Sequence, residues 1–401
     1  MINILYDKML NVNINSGVTY MKKRLKWSQY IGFITIGLVS SIIGPMLSAI
    51  KLEINLSYSQ AGLILSGQFL GMLLTVLIGG RLADKYGKKP FLLGGGAFLS
   101  IGLFGSMLSH SYITLLAWTI ISGIGFGTYE VGINALCSDS NDLNKGTAMN
   151  FLHFFYGLGA ISGPVLVTLC INLIKSWRLV YGISAFFPII VTAMLWPLVI
   201  NKTVATTNLK HSIPYKNKFI WISGIFCFLY VGIEVSTSGW LPTYWHYISP
   251  NSLIPASLTA TIFWSTLTIG RLFSGKIADK VGFGKFLIFA SIGIIILSLS
   301  WTIIPFNLGI LFVILLLGLA LAGVFPTMMA SVTSQYPHIS GEISAFISIF
   351  SSLGGSLIPS AIGGSVDFIG IAKIPLLICG LSVLLFISAN LMKRFDNNKM
   401  V

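Results

Sequence analysis

Long apolar runs separated by short polar stretches recur along this chain. A helix needs about 20 apolar residues to cross the hydrocarbon core of a bilayer. Twelve runs are of that order: 29–50, 60–80, 91–109, 112–136, 148–173, 178–200, 219–245, 256–275, 286–305, 308–332, 343–365 and 371–392. They predict an all-α membrane protein with twelve transmembrane helices. Residues 201–218 form the one long polar stretch of the interior. They read as a cytoplasmic linker between two six-helix bundles, 29–200 and 219–392, with tails at 1–28 and 393–401.

Composition supports this reading. The chain is 55% hydrophobic and 9% charged, whereas a soluble domain carries about 25% charged residues. A net charge of +14 could suggest a nucleic-acid partner. Here the Lys and Arg residues sit in short loops, so no nucleic acid is implied. An even number of helices puts both termini on one side. Of the 25 Lys and Arg, only Lys51, Lys175, Arg178 and Lys373 then fall on the other side. This count takes Arg271 as part of the loop after the eighth helix. The positive-inside rule therefore puts both termini in the cytoplasm of a multi-pass cell-membrane protein. The apolar stretch after Lys22, Lys23, Arg24 and Lys26 is too long for a cleavable signal, and Met21 is an alternative start. Cys137, Cys170, Cys227 and Cys379 lack metal-ligand spacing and read as small hydrophobes.

The chain also matches itself at an offset of 195 residues. Gly80, Leu82, Ala83, Asp84, Lys85 and Gly87 align with Gly275, Ile277, Ala278, Asp279, Lys280 and Gly282. Gly123, Gly146, Phe155, Gly159 and Pro164 align with Gly318, Gly341, Phe350, Gly354 and Pro359. Two similar halves predict pseudo-symmetric bundles with a substrate site between them near the midplane. The loop G-x-L-A-D-K-x-G-K-K at 80–89 resembles the loop 2–3 signature of the major facilitator superfamily, and 275–285 resembles its second copy. Gly80, Arg81, Asp84, Gly87, Gly275 and Asp279 are thus candidate gating-loop residues. A carboxylate held there can cap a helix end or pair with a cation. The basic residues of these loops also fix topology.

Candidate transport chemistry lies inside the spans. Glu130 sits in the fourth span, which has no Lys or Arg, with Asn134 one turn away on the same face. A charged group near the bilayer centre costs at least about 2.5 kcal/mol, so such residues usually face a cavity. Glu234 is the second acidic group, in the seventh span. A carboxyl in either place suits proton binding and release; a hydrogen-bonded structural acid is the plainer alternative. Asn150 and His153 share a face of the fifth span, and Gln68 is a lone amide in the second. Trp240 follows Glu234 and Ser236, Thr237 and Ser238. It could offer an aromatic face to a sugar or belong to an interfacial belt, which fits Tyr244 and Trp245 better. Trp264 reads as a core aromatic. Gly159 and Gly163 have the spacing of close helix packing.

Three stretches together resemble the fucose–proton symporter family. They are G-x-G-x-x-E-x-x-x-N at 125–134, N-x-x-H-x-x-Y-G-x-G-x-x-x-G-P at 150–164 and F-L-Y-V-G-I-E at 228–234. The resemblance implies proton-coupled uptake of a small sugar, with Glu130 as the proton and sugar residue and Asn134 beside it. A monomer in the lipid bilayer is the default expectation for this architecture, with no cofactor beyond the proton gradient. One feature departs from the family. The fucose member also uses an acidic residue in helix 1, and residues 29–50 contain none. Glu234 could take its place, or Glu130 could act alone; facilitated diffusion and coupling to another ion are the further alternatives. The rival reading is a proton-coupled exporter of drugs or other small molecules, favoured by Gly159, Gly163 and Pro164. Against it, two further glycines and a helix 4 Arg are missing. No metal-binding H-E-x-x-H, nucleophile elbow or phosphate loop marks an enzyme.

Overall fold

The computed structural model describes residues 2–140, 145–200, 214, 216–305, 307–336 and 339–395. Side chains at 2–20, 22, 80, 81, 84, 138–140, 145–150, 340 and 341 lie outside that description, as does nearly all of the linker expected at 201–218. The described residues are helical apart from short connections. In order, the helices are α1 (Ile2–Glu53), α2 (Tyr58–Tyr86), α3 (Lys88–Met107), α4 (Tyr112–Ser140), α5 (Lys145–Leu169), α6 (Arg178–Leu195), α7 (Lys218–Ile248), α8 (Ala256–Val281), α9 (Phe283–Ile303), α10 (Asn307–Ala322), α11 (Val324–Gln335), α12 (Ser340–Ile369) and α13 (Ile374–Arg394). The tenth expected span is split into α10 and α11 by Gly323 (φ −95°, ψ −4°). A Cβ at Gly323 would lie 2.3 Å from Ser274 Cβ, so only glycine lets the break press against α8.

Among the described residues, eleven helices are long and apolar enough to cross a membrane, with α10 and α11 counted as one. The twelfth crossing is α8, whose Ser and Thr residues and Arg271 dilute its hydropathy. Large side chains such as Phe289, Ile296 and Phe312 point outward at 57–63% exposure. That is the pattern of a bundle solvated by lipid, where the outer face need not be polar.

The loop glycines have a clear structural role. Gly87 (φ +94°, ψ 155°) ends α2 and starts α3, and its N–H bonds to the Ala83 carbonyl at 2.9 Å. Gly282 (φ +89°, ψ 139°) does the same between α8 and α9, bonding to Ala278 at 2.8 Å. This backbone region belongs almost wholly to glycine. A Cβ at Gly282 or at helical Gly275 would meet open space. Gly282→Ala should therefore lose about 1–3 kcal/mol through the backbone alone, while Gly275→Ala should gain about 0.5–1 kcal/mol. Equilibrium unfolding in mixed micelles checks both signs.

The repeat is visible in the contacts. A Cβ at Gly44 in α1 would lie 2.6 Å from Gly239 Cα in α7, and Ser48 Oγ lies 3.3 Å from Thr243 Oγ1. Each of these residues touches its own counterpart at offset 195. A residue that meets its symmetry mate lies on the axis, so the pseudo-two-fold runs between α1 and α7. Off the axis, Gly62 in α2 packs on Gly363 in α12, and Thr168 in α5 is 2.6 Å from Ser257 in α8. The offset carries one contact onto the other, so the halves meet through α2–α12 and α5–α8.

Candidate functional site: a charged cluster between the halves

The even number of crossings puts both chain ends at one end of the bundle. Many of the contacts between the halves lie toward the other end. Asp367, near the end of α12, accepts N–H bonds from Tyr58 (2.9 Å) and Ser59 (2.8 Å) at the start of α2. Ser57 and Gln60 complete a capping box on the same helix. A carboxylate from one half thus caps a helix of the other, where the dipole favours it. Asp367→Ala should weaken that end by about 1 kcal/mol, roughly a fivefold shift. Maleimide labelling of Ser48→Cys in detergent should then speed up by that factor; an unchanged rate would show that Asp367 does not hold the halves.

Toward mid-depth a polar cluster replaces this packing. Gly123 and Gly127 bring α4 against α2, and Gly125 brings it against α3, which leaves the Glu130 side of α4 for the interior. Asn134 Nδ2 donates to Glu130 Oε1 at 3.3 Å, and Asn134 Oδ1 is buried without a hydrogen-bond partner. Both side chains are half-buried, so Glu130 is not sealed in packing. His153 in α5 is half-buried and meets the edge of Phe33 at 5.2 Å. Tyr156, one turn on, shares a 2.8 Å hydrogen bond with Ser40 of α1 and sets its ring 6.2 Å from Trp264 of α8. Tyr156 therefore sits where the halves meet. The indole N–H of Trp264 is buried and unpartnered.

The second carboxylate belongs to the other half. Glu234 of α7 is 8% exposed and forms an ion pair with Arg271 of α8, Oε1 to Nη2, at 3.4 Å. Arg271 Nε also points at the Ala322 carbonyl at 3.4 Å. Tyr230 donates to the Leu321 carbonyl at 3.0 Å and reaches both Glu234 and Arg271. Leu321 and Ala322 are the last residues of α10. Ending that helix at Gly323 frees carbonyls at its negative end, which suits a cation. Glu130, His153 and Tyr156 all lie within electrostatic reach of Arg271. Six helices, three from each half, thus contribute to one cluster.

This corrects the placement of Arg271. It does not belong with the loop after α8 but lies inside the protein near the middle of α8, as the countercharge of Glu234. An arginine four residues inside a predicted span was the signal that could have found it. Tyr156 and Tyr230 were also missed as site residues. Both are fixed letters of the stretches at 150–164 and 228–234 that carry the family resemblance, which was the signal that could have found them.

The other expected residues fall elsewhere. Gln68 is 2% exposed with Nε2 unpartnered, in the α2–α4 interface beside Gly123. Trp240 is fully buried, its N–H on the Pro359 carbonyl at 3.2 Å, and packs against Gly363. It belongs to the interlocked end of the halves rather than to the charged cluster. Tyr244 and Trp245 are likewise buried, at 7% and 1% exposure, so they do not form an interfacial belt. Gly275 and Asp279 are exposed near the end of α8. The side chains of Asn150, Arg81 and Asp84 lie outside the described set. The backbone at 80, 81 and 84 belongs to the last turns of α2, as Gly275 and Asp279 belong to α8, so of the expected gating-loop residues Gly87 alone sits in a turn. Among the described residues no group of three or more His, Cys, Asp or Glu could hold a metal ion.

A duplicated twelve-crossing bundle with a polar cluster between its halves defines a membrane transporter. The sequence model of the Major Facilitator Superfamily matches residues 30–359, and the chain belongs to that superfamily of transporters, which are not enzymes. The glucose/mannose transporter GlcP of Bacillus subtilis is 25% identical over 84% of this chain and 87% of that protein. The human sodium-dependent glucose transporter 1 is 24% identical over 82% of this chain and 71% of that protein. The crystal structure of a D-xylose-proton symporter superimposes with a TM-score of 0.78 at 16% identity, over 94% of this chain and 98% of that one. That last likeness speaks for the fold alone.

Proposed function

We propose that this protein carries an uncharged sugar across the cell membrane by alternating access, in symport with protons, and that Glu130 is the group that exchanges the proton. The observation that carries the reading is the division of labour between two intramembrane carboxylates. Glu234 has a guanidinium partner, whereas Glu130 has only an amide and remains partly accessible. A carboxyl without a fixed countercharge in a low-dielectric place is the one that can gain and lose a proton. The sugar relatives support the cargo class. Tyr156, Asn134, Trp264 and His153 supply donors, acceptors and ring faces suited to a hydroxylated ring.

With both termini in the cytoplasm, the end where the halves interlock is the outer one. A polar, charged site of this kind does not favour an exporter of apolar drugs. The test is uptake of radiolabelled D-glucose, D-mannose and L-fucose into proteoliposomes of the purified protein. An acidic exterior should drive accumulation of at least one of them, and a sodium gradient at equal pH should not. Saturable uptake of none of the three, or accumulation that persists after the pH gradient is collapsed, would overturn the proposal.

A further inference from the structure

We infer that Glu234 sets the charge specificity of the site: by occupying Arg271 it restricts the cargo to uncharged sugars and turns sugar acids away. This rests on the reading that a sugar binds at the cluster.

Among the described residues of the cluster, Arg271 is the one permanent cation. A guanidinium offers five donors in a fork that matches a carboxylate, so on its own it would select an acid. Here Glu234 takes its charge. The two separations, 3.4 Å to Glu234 and 3.4 Å to the Ala322 carbonyl, are longer than ordinary N–H···O bonds. The charge is therefore matched while the donors are not saturated. A neutral hydroxyl can still accept from them.

Charge counting gives the selection. With Glu130 protonated, Arg271 and Glu234 sum to zero, and a hexose leaves that balance intact. A hexuronate would add a negative charge with no partner in a desolvated place, and an unpaired buried charge is strongly unfavourable. Exclusion by an unmatched charge is a common source of specificity. The position of Arg271 does not depend on Glu234 alone. Its Nε also faces the Ala322 carbonyl at the end of α10. If Glu234 lost its charge, the guanidinium would stay in the site with a full unmatched positive charge. Glu234→Gln keeps the shape and removes the charge, so it should turn an acid-excluding site into an acid-accepting one.

The probes are D-glucose and D-glucuronate, which share a ring and differ at C6. Competition for binding to the purified full-length protein gives the ratio of their affinities. In the wild type, glucuronate should bind at least about tenfold more weakly than glucose, and in E234Q the ratio should move toward glucuronate by about tenfold or more. The neutral double variant, Arg271→Gln with Glu234→Gln, should lose that gain. Equal competition by both probes in the wild type overturns the inference, as does an unchanged ratio in E234Q or a gain that persists in the double variant. If E234Q does not fold, the wild-type ratio decides alone. Gain of glucuronate binding in E234Q, with no hexose binding by the wild type, would refute the hexose reading and leave the charge filter standing.

Discussion

Glu130→Gln should abolish gradient-driven accumulation and leave sugar exchange in place. Glutamine has nearly the same shape and still pairs with Asn134, whose Nδ2 donates to position 130 at 3.3 Å. What it lacks is a proton to release. One pH unit is worth about 1.4 kcal/mol per proton, so one-to-one coupling accumulates sugar about tenfold per unit. In the variant that ratio should fall to one, whatever the imposed gradient. Counterflow, in which labelled sugar enters against unlabelled sugar inside, should continue because it needs no net proton movement. Accumulation by the variant that still tracks the pH gradient would place the coupling proton elsewhere.

Arg271→Met has the largest expected effect on stability. It strands Glu234, which is nearly buried in α7, and removes a donor from the Ala322 carbonyl at the end of α10. Breaking one partner of a buried pair costs about 3–5 kcal/mol, whereas replacing both by apolar groups is often neutral or better. The double variant Arg271→Met, Glu234→Leu should therefore recover most of the lost stability in equilibrium unfolding. It should not recover transport, because the charged donor and the charged acceptor on the C-terminal side of the site are gone. A single variant as stable as the wild type would mean that the ion pair contributes nothing to the fold.

Much of the architecture was legible in the sequence, because a bilayer imposes a length and an apolar composition on each crossing. The offset of 195 residues likewise announced two halves, and the loop glycines Gly87 and Gly282 announced two equivalent turns. The break at Gly323 was hidden. Its glycine lies in a long apolar run, and the need for it comes from Ser274 on another helix. Glu130, Asn134 and Glu234 could be singled out because a polar group in an apolar run needs a reason. The pairing of Glu130 with Asn134 could be read as well, since both lie on one helix; contacts between helices could not, since they depend on rotations and depths that the sequence alone does not fix. Trp240 and Asp367 show the same limit. One read equally as a sugar platform or an interfacial aromatic and packs the interlocked end, and the other lay in a connection and caps a helix of the opposite half.

The self-contact of Gly44 with Gly239 has a consequence for how chemistry can be distributed. The same offset carries Glu130 onto Phe325, Glu234 onto Val39 and Arg271 onto Val76. No ionisable member of the central trio has an ionisable twin. A homodimer built from either half alone would present each acid or base twice across its axis, acid facing acid or base facing base. Covalent fusion of two unlike copies lifts that constraint, so a lone acid on one side can work against a matched pair on the other. Neither half, expressed and dimerised by itself, could assemble this arrangement.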